Sequence, residues 1–594
     1  MPERPSPTDP TGPRALLGAA HDALVRRCVL LSRALPTGVR ASAAGLAGSP
    51  LSSRLLPTTA LALLASGGRV DDARELLPDL AQRAHRRTLL ARLLNRRLVT
   101  AITALEQPRL TEVALQHLRV PPRHAAKLEG SVAVRRARVL FDQGDLDGAG
   151  KTVAPHADAH PVAGLLARRY AGERAGLGPL PALPERAPDA PEPLPGRVLH
   201  LVSNALPHTQ AGYTVRTHRI VCAQQAAGLD PHVATFVGWP PEGGESEQQV
   251  DGITYHRLRP GGRLPEGLGP RVEAGVAAAT ELALRLRPSV LHAATDHRNG
   301  SVALAVGARL GIPVVYEVRG FLEETWLAKA GPRAEGSERH RLIVERETAV
   351  MRAADAVVTL AATMREEIVA RGIDPDKVVL APNAVDPALL EARPDGAAFR
   401  RAHGIGEEEF VVGSVSSLVA YEGFDTLISA AARLRDAGVA VRVLLVGDGE
   451  ARAGLREQAD RLGLGSACLL PGRVPPDEAL RAQAALDVFV APRADQRVCR
   501  LVTPLKPVEA MALGTPVVAS DIPALREVLA EGRAAVLVPP GDAGGLAEAL
   551  LRLRGDPGLR ARLVSAGRAE VTGRRTWPRV ARTYRELYER LGAR

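Results

Sequence analysis

Hydrophobic and polar positions follow two different rules along this chain. From Arg14 to about Ala175, Ala and Leu recur at i, i+3 and i+4 with arginines between them, which predicts amphipathic helices throughout. Gly176 to Pro195 then carries seven prolines, Pro179, Pro181, Pro184, Pro188, Pro191, Pro193 and Pro195, a density that predicts a semi-rigid linker and a domain boundary. From Gly196 onward short apolar runs alternate with helical stretches. Arg197–Val202 reads as a buried strand, Ser203–Gly212 as a loop, Tyr213–Ala227 as a helix and His232–Phe236 as a second strand. That is a βαβ unit with its loop at the carboxyl edge of a sheet, where ligands bind. Ser289–His292 and Pro313–Tyr316 are further strands, and Phe410–Val415, Leu444–Val446, Leu469–Leu470 and Val517–Ala519 repeat the design. The fold class is therefore α/β after a helical region, and Arg579–Leu591 closes the pattern as an amphipathic helix.

Within the helical region two segments echo each other. Gly68–Ala73 and Gly144–Ala149 each read as a tight turn in which Gly ends one helix and Asp caps the next. The pattern is similar to tetratricopeptide-type helical hairpins. A small helical domain that binds a partner or a surface is expected, with residues 1–13 disordered before it.

Charge sharpens that expectation. The chain has 594 residues and a formal net charge of +11. Residues 1–180 hold 26 Lys and Arg against 15 Asp and Glu, so the whole excess sits there and the rest balances. A basic domain on a neutral one implies attraction to something anionic, a membrane surface, a phosphate-rich polymer or nucleic acid, unless the arginines serve solubility alone. An anionic membrane surface or a protein partner is the expectation carried forward, nucleic acid the least favoured. Cys28, Cys222, Cys468 and Cys499 are far apart and form no CxxC pair, so neither a disulfide framework nor a zinc site is indicated. The Pro-rich start lacks a signal-peptide layout, and Leu55–Ala65 is too short to span a bilayer. The expected location is cytoplasmic, peripheral at the inner membrane face if the basic domain docks there.

Candidate chemistry concentrates in Leu501–Asp521. The stretch reads as a loop, TPLKP, that enters a helix at Pro507-Val508-Glu509, leaves it at Gly514, and starts a buried strand after Thr515-Pro516. A loop feeding a helix N-terminus is a seat for phosphate. Lys506 adds a mobile charge beside it, and Glu509 can accept two hydrogen bonds from a ribose diol. Diphosphate plus ribose means a nucleotide. At the ends of earlier strands, polar clusters run from His292 into Ala293–Asn299 and from Tyr316 into Glu317, Val318, Arg319, Gly320 and Phe321, which makes His292, Glu317 and Arg319 acceptor-side or catalytic candidates. Gly212 lets backbone approach a ligand.

The segment Glu509 to Ser520 resembles the signature of retaining GT-B glycosyltransferases of family 4: a Glu, seven residues, then a second Glu and AMA-x-G-x-PVVAS. Glu509 matches the second Glu, while Leu501 stands where the first, a donor-sugar contact, would fall. GYTVRTH with YEVRGFLEETW resembles a family 4 subgroup associated with exopolysaccharide and exosortase gene systems. ADAVVT, Ala354 to Thr359, and APNAVD, Ala381 to Asp386, look like the same family. Where most members carry GRL-x-x-x-KG to grip the diphosphate, this chain has Ser417 and Glu422 in place of Arg and Lys. Charge would return from Arg493, Arg497 or Arg500 together with Lys506.

The resemblance implies a GT-B fold, two Rossmann-like domains facing a cleft, preceded by an all-α domain of tetratricopeptide-like type. The implied boundaries are 14–175 helical, 176–196 linker, 197–385 acceptor domain, 386–576 donor domain and 577–594 crossover helix. It implies a hexosyltransferase-like, retaining, metal-independent enzyme that moves a sugar to an acceptor hydroxyl in cell-surface polysaccharide or glycoconjugate synthesis. No cofactor is expected beyond the nucleotide sugar, a UDP-sugar foremost, with a glycan, lipid-linked or small-molecule acceptor. Implied donor contacts are Gly212, Ser417, Gly447, Asp448, Arg473, Val474, Arg500, Thr503, Leu505, Lys506 and Glu509, with His292, Glu317, Arg319 and Lys506 as catalytic groups. No metal site is expected, because Asp145-Leu146-Asp147 and Asp374-Pro375-Asp376 fall in helical turns and not at a strand end. The alternatives are a nucleotide-sugar epimerase and a catalytically degenerate scaffold.

Overall fold

The computed structural model describes residues 122–592 except 242, together with residue 120 and scattered positions between 74 and 118. The expected disorder at 1–13, the Gly68–Ala73 echo, Cys28 and most of the helical region before residue 122 lie outside the described residues. The chain divides into two compact units, residues 1–176 with 337–339, and residues 177–336 with 340–594.

From residue 122 the first unit has the α-helices Pro122–Asp142, Leu146–Val153 and Pro161–Gly176. Gly144 takes a positive φ of 85° to end the first helix. Asp145 then caps the second by accepting from Gly148 N at 2.8 Å. Phe141 and Tyr170 stack with centroids 4.5 Å apart over a core of Leu128, Ala137, Leu146, Val153 and Leu166.

The second unit holds two sheets. The first contains β1 (Leu194–Val202), β2 (Asp230–Thr235), β3 (Glu247–Val250), β4 (Ile253–Arg257), β5 (Pro288–Ala294), β6 (Val314–Val318), β7 (Ala356–Thr359) and β8 (Val378–Leu380) in the order β3-β4-β2-β1-β5-β6-β7-β8. All neighbours are parallel except the β3–β4 hairpin. Its two-residue turn needs positive φ at both positions, which Asp251 (49°) and Gly252 (80°) supply. The second sheet contains β9 (Phe410–Val415), β10 (Val441–Val446), β11 (Cys468–Gly472), β12 (Val488–Ala491), β13 (Val517–Ser520) and β14 (Ala535–Val538), all parallel, in the order β11-β10-β9-β12-β13-β14. Their near-continuous Val, Leu and Ala runs are what strands covered by helices on both faces require. Strand order reverses between β1 and β5 in one sheet and between β9 and β12 in the other. In doubly wound sheets those points open crevices at the carboxyl ends.

The Pro-rich stretch is not a free spacer. Leu180 and Ala190 pack on the core of the first sheet, and Ala187 N donates to Arg309 O at 2.8 Å. Strand β1 also begins at Leu194, three residues earlier than the apolar run predicts, because Leu194 N bonds to Arg287 O at 2.7 Å and the register breaks before Val198.

At the end of the second half the chain crosses back. Val385 N donates to Arg575 O at 2.9 Å and Trp577 N to Val385 O at 3.0 Å, tying the two crossing segments together. Helix Trp577–Arg590 then buries Trp577, Val580, Tyr584, Leu587 and Tyr588, one apolar stripe, among Val198, Ile220, Val290, Val315 and Val358 of the first half. Leu587→Ala should cost about 2–5 kcal/mol by opening a cavity there. A urea midpoint matching the parent's would contradict this account of how the final helix is held.

Candidate functional site

The carboxyl edges of the two sheets face each other. Asn383, just after β8, donates to Thr503 O at 3.0 Å, and Thr363, after β7, donates to Leu501 O at 2.9 Å. Lys329 Nζ lies 3.2 Å from Glu450 Oε2, which follows β10.

On the second half, loops from neighbouring strands lie backbone on backbone. Leu418 N donates to Asp448 O and Gly447 N to Gly472 O. A Cβ on Gly447, whose φ is 139°, would sit 1.9 Å from Ser416 O, so only glycine closes this floor. A cavity of about 400 Å³ opens beside it, lined by Asp448, Gly449, Glu450, Arg452 and Leu470 among others. Helix Lys506–Leu513 points its N-terminus at the same edge and ends at Gly514 with φ 80°. That terminus offers fewer donors than a full first turn. Pro507 has no N–H, and the N–H groups of Val508 and Glu509 both turn back to Leu505 O. Lys506 and Glu509 pair directly, Nζ to Oε2 at 2.7 Å, with both side chains partly exposed.

The arginines expected to restore charge are each engaged. Arg493 is buried and grips Glu422 with two nitrogens, Nη2 to Oε1 at 2.6 Å and Nε to Oε2 at 3.2 Å, while Nη1 donates to Val502 O. Glu422, the residue standing in place of a family lysine, is therefore the counter-charge of Arg493. Arg500 pairs with Asp495 on the surface, and Arg497 reaches Glu324 and Glu367 of the first half. Ser417, Asp448 and Arg473 are exposed at the strand ends, and the Val474 and Leu505 side chains are half-buried. Thr503 is buried with its hydroxyl unpartnered.

On the first half a single carboxylate collects the neighbours. Glu317, completely buried at the end of β6, accepts from Arg216 Nη2 at 2.8 Å, Arg319 Nη2 at 2.8 Å and the Tyr584 hydroxyl at 3.0 Å, and lies 3.1 Å from His292 Nε2. Arg216 also donates to Ala381 O and Pro382 O and to Asn383 Oδ1. His292 Nδ1 meets the Tyr588 hydroxyl at 2.6 Å, and Tyr588 in turn accepts from Gln224. Burial alone would raise the Glu317 carboxyl, but the Arg319 and Arg216 guanidiniums outweigh it and hold the group well below the usual carboxylate range. Burial lowers His292.

Two features of the first half lie nearer the opening. Arg319 stretches from Glu317 to Thr217 Oγ1 (2.6 Å) and Tyr213 O (3.2 Å), and its Nε is buried without a partner. Tyr213, 48% exposed, is steadied by Asn204 Nδ2 on its hydroxyl at 3.1 Å. Gly212 beside it is exposed, and a side chain there would meet open space.

Residues 211–384 match the glycosyl transferase 4-like domain, and residues 395–570 match glycosyl transferases group 1. The fold is GT-B. Among solved structures the chain aligns with sucrose-phosphate synthase from Thermosynechococcus elongatus at a TM-score of 0.56 and 22% identity, covering 67% of this chain and 99% of that one. It also aligns with Anabaena HepE in complex with UDP and glucose at a TM-score of 0.51 and 20% identity, over 66% and 99%. By sequence it is 35% identical over 208 residues to the phosphatidyl-myo-inositol mannosyltransferase of Mycobacterium leprae, 35% of this chain and 52% of that protein. The chain spans about half the length of the curated relatives it matches. No helix among the described residues is long and apolar enough to cross a membrane.

Within this GT-B unit the His292 and Glu317 side chains are fully buried, where they hold Arg319 and the final helix. Leu501, which stands where the family's first Glu would fall, packs with Val502 against the core of the first half. Arg500 is paired at the surface with Asp495. What the sequence reading missed is the other side of each pair: Arg216, Tyr584 and Tyr588, and the acidic partners Glu324 and Glu367. The spacing of Tyr584 and Tyr588 on the apolar stripe of the final helix was the signal available for the first group.

A second acid of the first half is buried. Glu347 accepts from the Tyr316 hydroxyl at 2.5 Å and from His297 N at 2.8 Å, the first N–H of the helix that follows β5. Burial pushes its carboxyl up to about 8, with Asp296 and Glu323 adding to the rise and the Tyr316 hydrogen bond opposing it.

Two measurements follow from these acids. Glu317→Gln leaves Arg216 and Arg319 short of a buried counter-charge and should cost about 3–5 kcal/mol in denaturant unfolding. For Glu347 the folded pKa is raised, so its stabilisation is complete below about pH 4.3 and is lost progressively as pH rises through about 8. Glu347→Gln, a neutral isostere, should therefore raise the melting temperature relative to the parent at pH 8.5 and change it little at pH 4. Equal shifts at both pH values would contradict the assignment.

Proposed function

We propose that the protein transfers a sugar from a nucleoside diphosphate donor to an acceptor hydroxyl. The observation that carries this reading is the placement of helix Lys506–Leu513. Its N-terminus, with Lys506 and Glu509, lies at the carboxyl edge of the second sheet of a GT-B fold, three residues after Thr503, whose carbonyl accepts from Asn383 of the first half. Lys506 leaves Glu509 for the diphosphate when donor binds, and Glu509 is then released to accept from the ribose hydroxyls. The bond from the anomeric carbon to the diphosphate oxygen breaks, and the acceptor oxygen bonds to that carbon. The acceptor's proton passes to the departing diphosphate oxygen. Charge accumulates on the diphosphate, where Lys506 and the helix N-terminus stabilise it most in the transition state. Retention, metal independence and a role in surface polysaccharide or glycoconjugate synthesis rest on the family 4 resemblance. A UDP-sugar is the favoured donor, consistent with the UDP bound in Anabaena HepE.

A thermal-shift series over UDP, GDP and ADP identifies the base, since a ligand at 100 times its Kd adds about 2.7 kcal/mol to stability. With the matching nucleotide sugar, Lys506→Ala should lower kcat by about 10²–10³-fold. Absence of a shift with all three nucleotides would refute the donor site.

A further inference from the structure

Between the two halves of the GT-B unit lie contacts that the transfer chemistry does not use. Helix Ala362–Ala370 begins after Ala361, which has no side chain able to cap it. Its first two N–H groups are taken from across the cleft: Ala362 N donates to Glu527 Oε1 at 2.8 Å and Thr363 N to Glu527 Oε2 at 3.2 Å. One carboxylate from the second half thus satisfies two orphan donors of the first half and meets the positive end of its helix dipole.

Close by, Arg497 of the second half donates Nε to Glu324 Oε1 at 2.7 Å, and its Nη2 lies 2.7 Å from Glu367 Oε2. Glu324 is almost fully buried while Arg497 is about half exposed. Glu367 belongs to the same helix that Glu527 caps, so the two contacts hold one element from two directions. Lys329 and Glu450 form a third bridge, but both are more than half exposed and the pair contributes little.

Each of these bonds runs from one half to the other. The crossing at Val385 and Thr576 ties the halves independently, and the Glu317 cluster lies wholly between the first sheet and the final helix packed on it. A rigid-body opening about the crossing would leave both intact and would break the Glu527 and Arg497 contacts, together with the neutral hydrogen bond from Thr363 Oγ1 to Leu501 O. We propose that Glu527 and Arg497 form a latch on helix Ala362–Ala370 that sets the balance between closed and open cleft, and so the fraction of molecules able to admit or release substrate.

The test is single-molecule energy transfer on the full chain without substrate, with dyes on non-canonical amino acids at the exposed positions Glu281 and Glu457. Glu527→Gln and Arg497→Gln should each raise the open-to-closed ratio about threefold to tenfold, the range for a charged hydrogen bond discounted for exposure. Arg497→Gln combined with Glu324→Gln should open the protein no further than Arg497→Gln alone. Arg526→Gln, whose partner Asp521 lies within its own half, should leave the ratio unchanged. A Glu527→Gln, Arg497→Gln double variant within twofold of the parent would overturn the latch, as would a lowered melting temperature with no change in energy transfer. Because no donor or acceptor is present, the outcome is independent of the glycosyl-transfer reading.

Discussion

The structure of the GT-B unit depends on one buried carboxylate. Glu317 sits where no water reaches, and an isolated charge there would be prohibitive. It is tolerated because Arg216, Arg319, His292 and Tyr584 close around it, each from a different element. Arg216 in turn takes the carbonyls that lead into the domain crossing, and Tyr584 belongs to the final helix. A network of this kind is all or nothing, since losing any member leaves another polar group buried and unpaired. It therefore fixes the first strand-end loop, the crossing and the chain's last helix to one another, and it holds Arg319 at the rim.

In the second half, charge is arranged differently. Arg493, Arg500 and Lys506, close to the start of helix Lys506–Leu513 in sequence, each have an acidic partner: Arg493 with Glu422, Arg500 with Asp495, Lys506 with Glu509. Of these, the Arg493 pair is buried and bidentate, so it serves as framework, while the Lys506 pair is partly open to solvent and inexpensive to separate. In the proposed transfer the diphosphate recruits Lys506 by exchange, carboxylate for phosphate, without the seat ever carrying a bare excess of positive charge.

Much of the fold is legible in the sequence. Strands and helices of the second unit fall where alternating apolar runs and turn residues put them, and Gly514 ends its helix in the left-handed conformation that only such a residue adopts cheaply. The unread part is tertiary. His292, Glu317 and Arg319 look alike in sequence as polar residues at strand ends, yet two are sealed and one reaches the rim. Which is which depends on Tyr584 and Tyr588, more than 260 residues away from Glu317 along the chain. Likewise Arg497 reads as a phosphate ligand by proximity to Lys506, whereas its partners lie on helices of the other half. Local pattern names the residue types; long-range pairing assigns their work.

The return of helix Trp577–Arg590 onto the first sheet also has a consequence for biosynthesis. As the chain leaves the ribosome, the first sheet is complete in sequence long before residues 577–590 exist. Until they arrive, Glu317 lacks its tyrosine and the apolar groove at Val198, Ile220 and Val315 stands open to water. The amino-terminal half can collapse during translation, but it reaches its final packing only after the carboxyl-terminal half has been made, so the two mature as a pair.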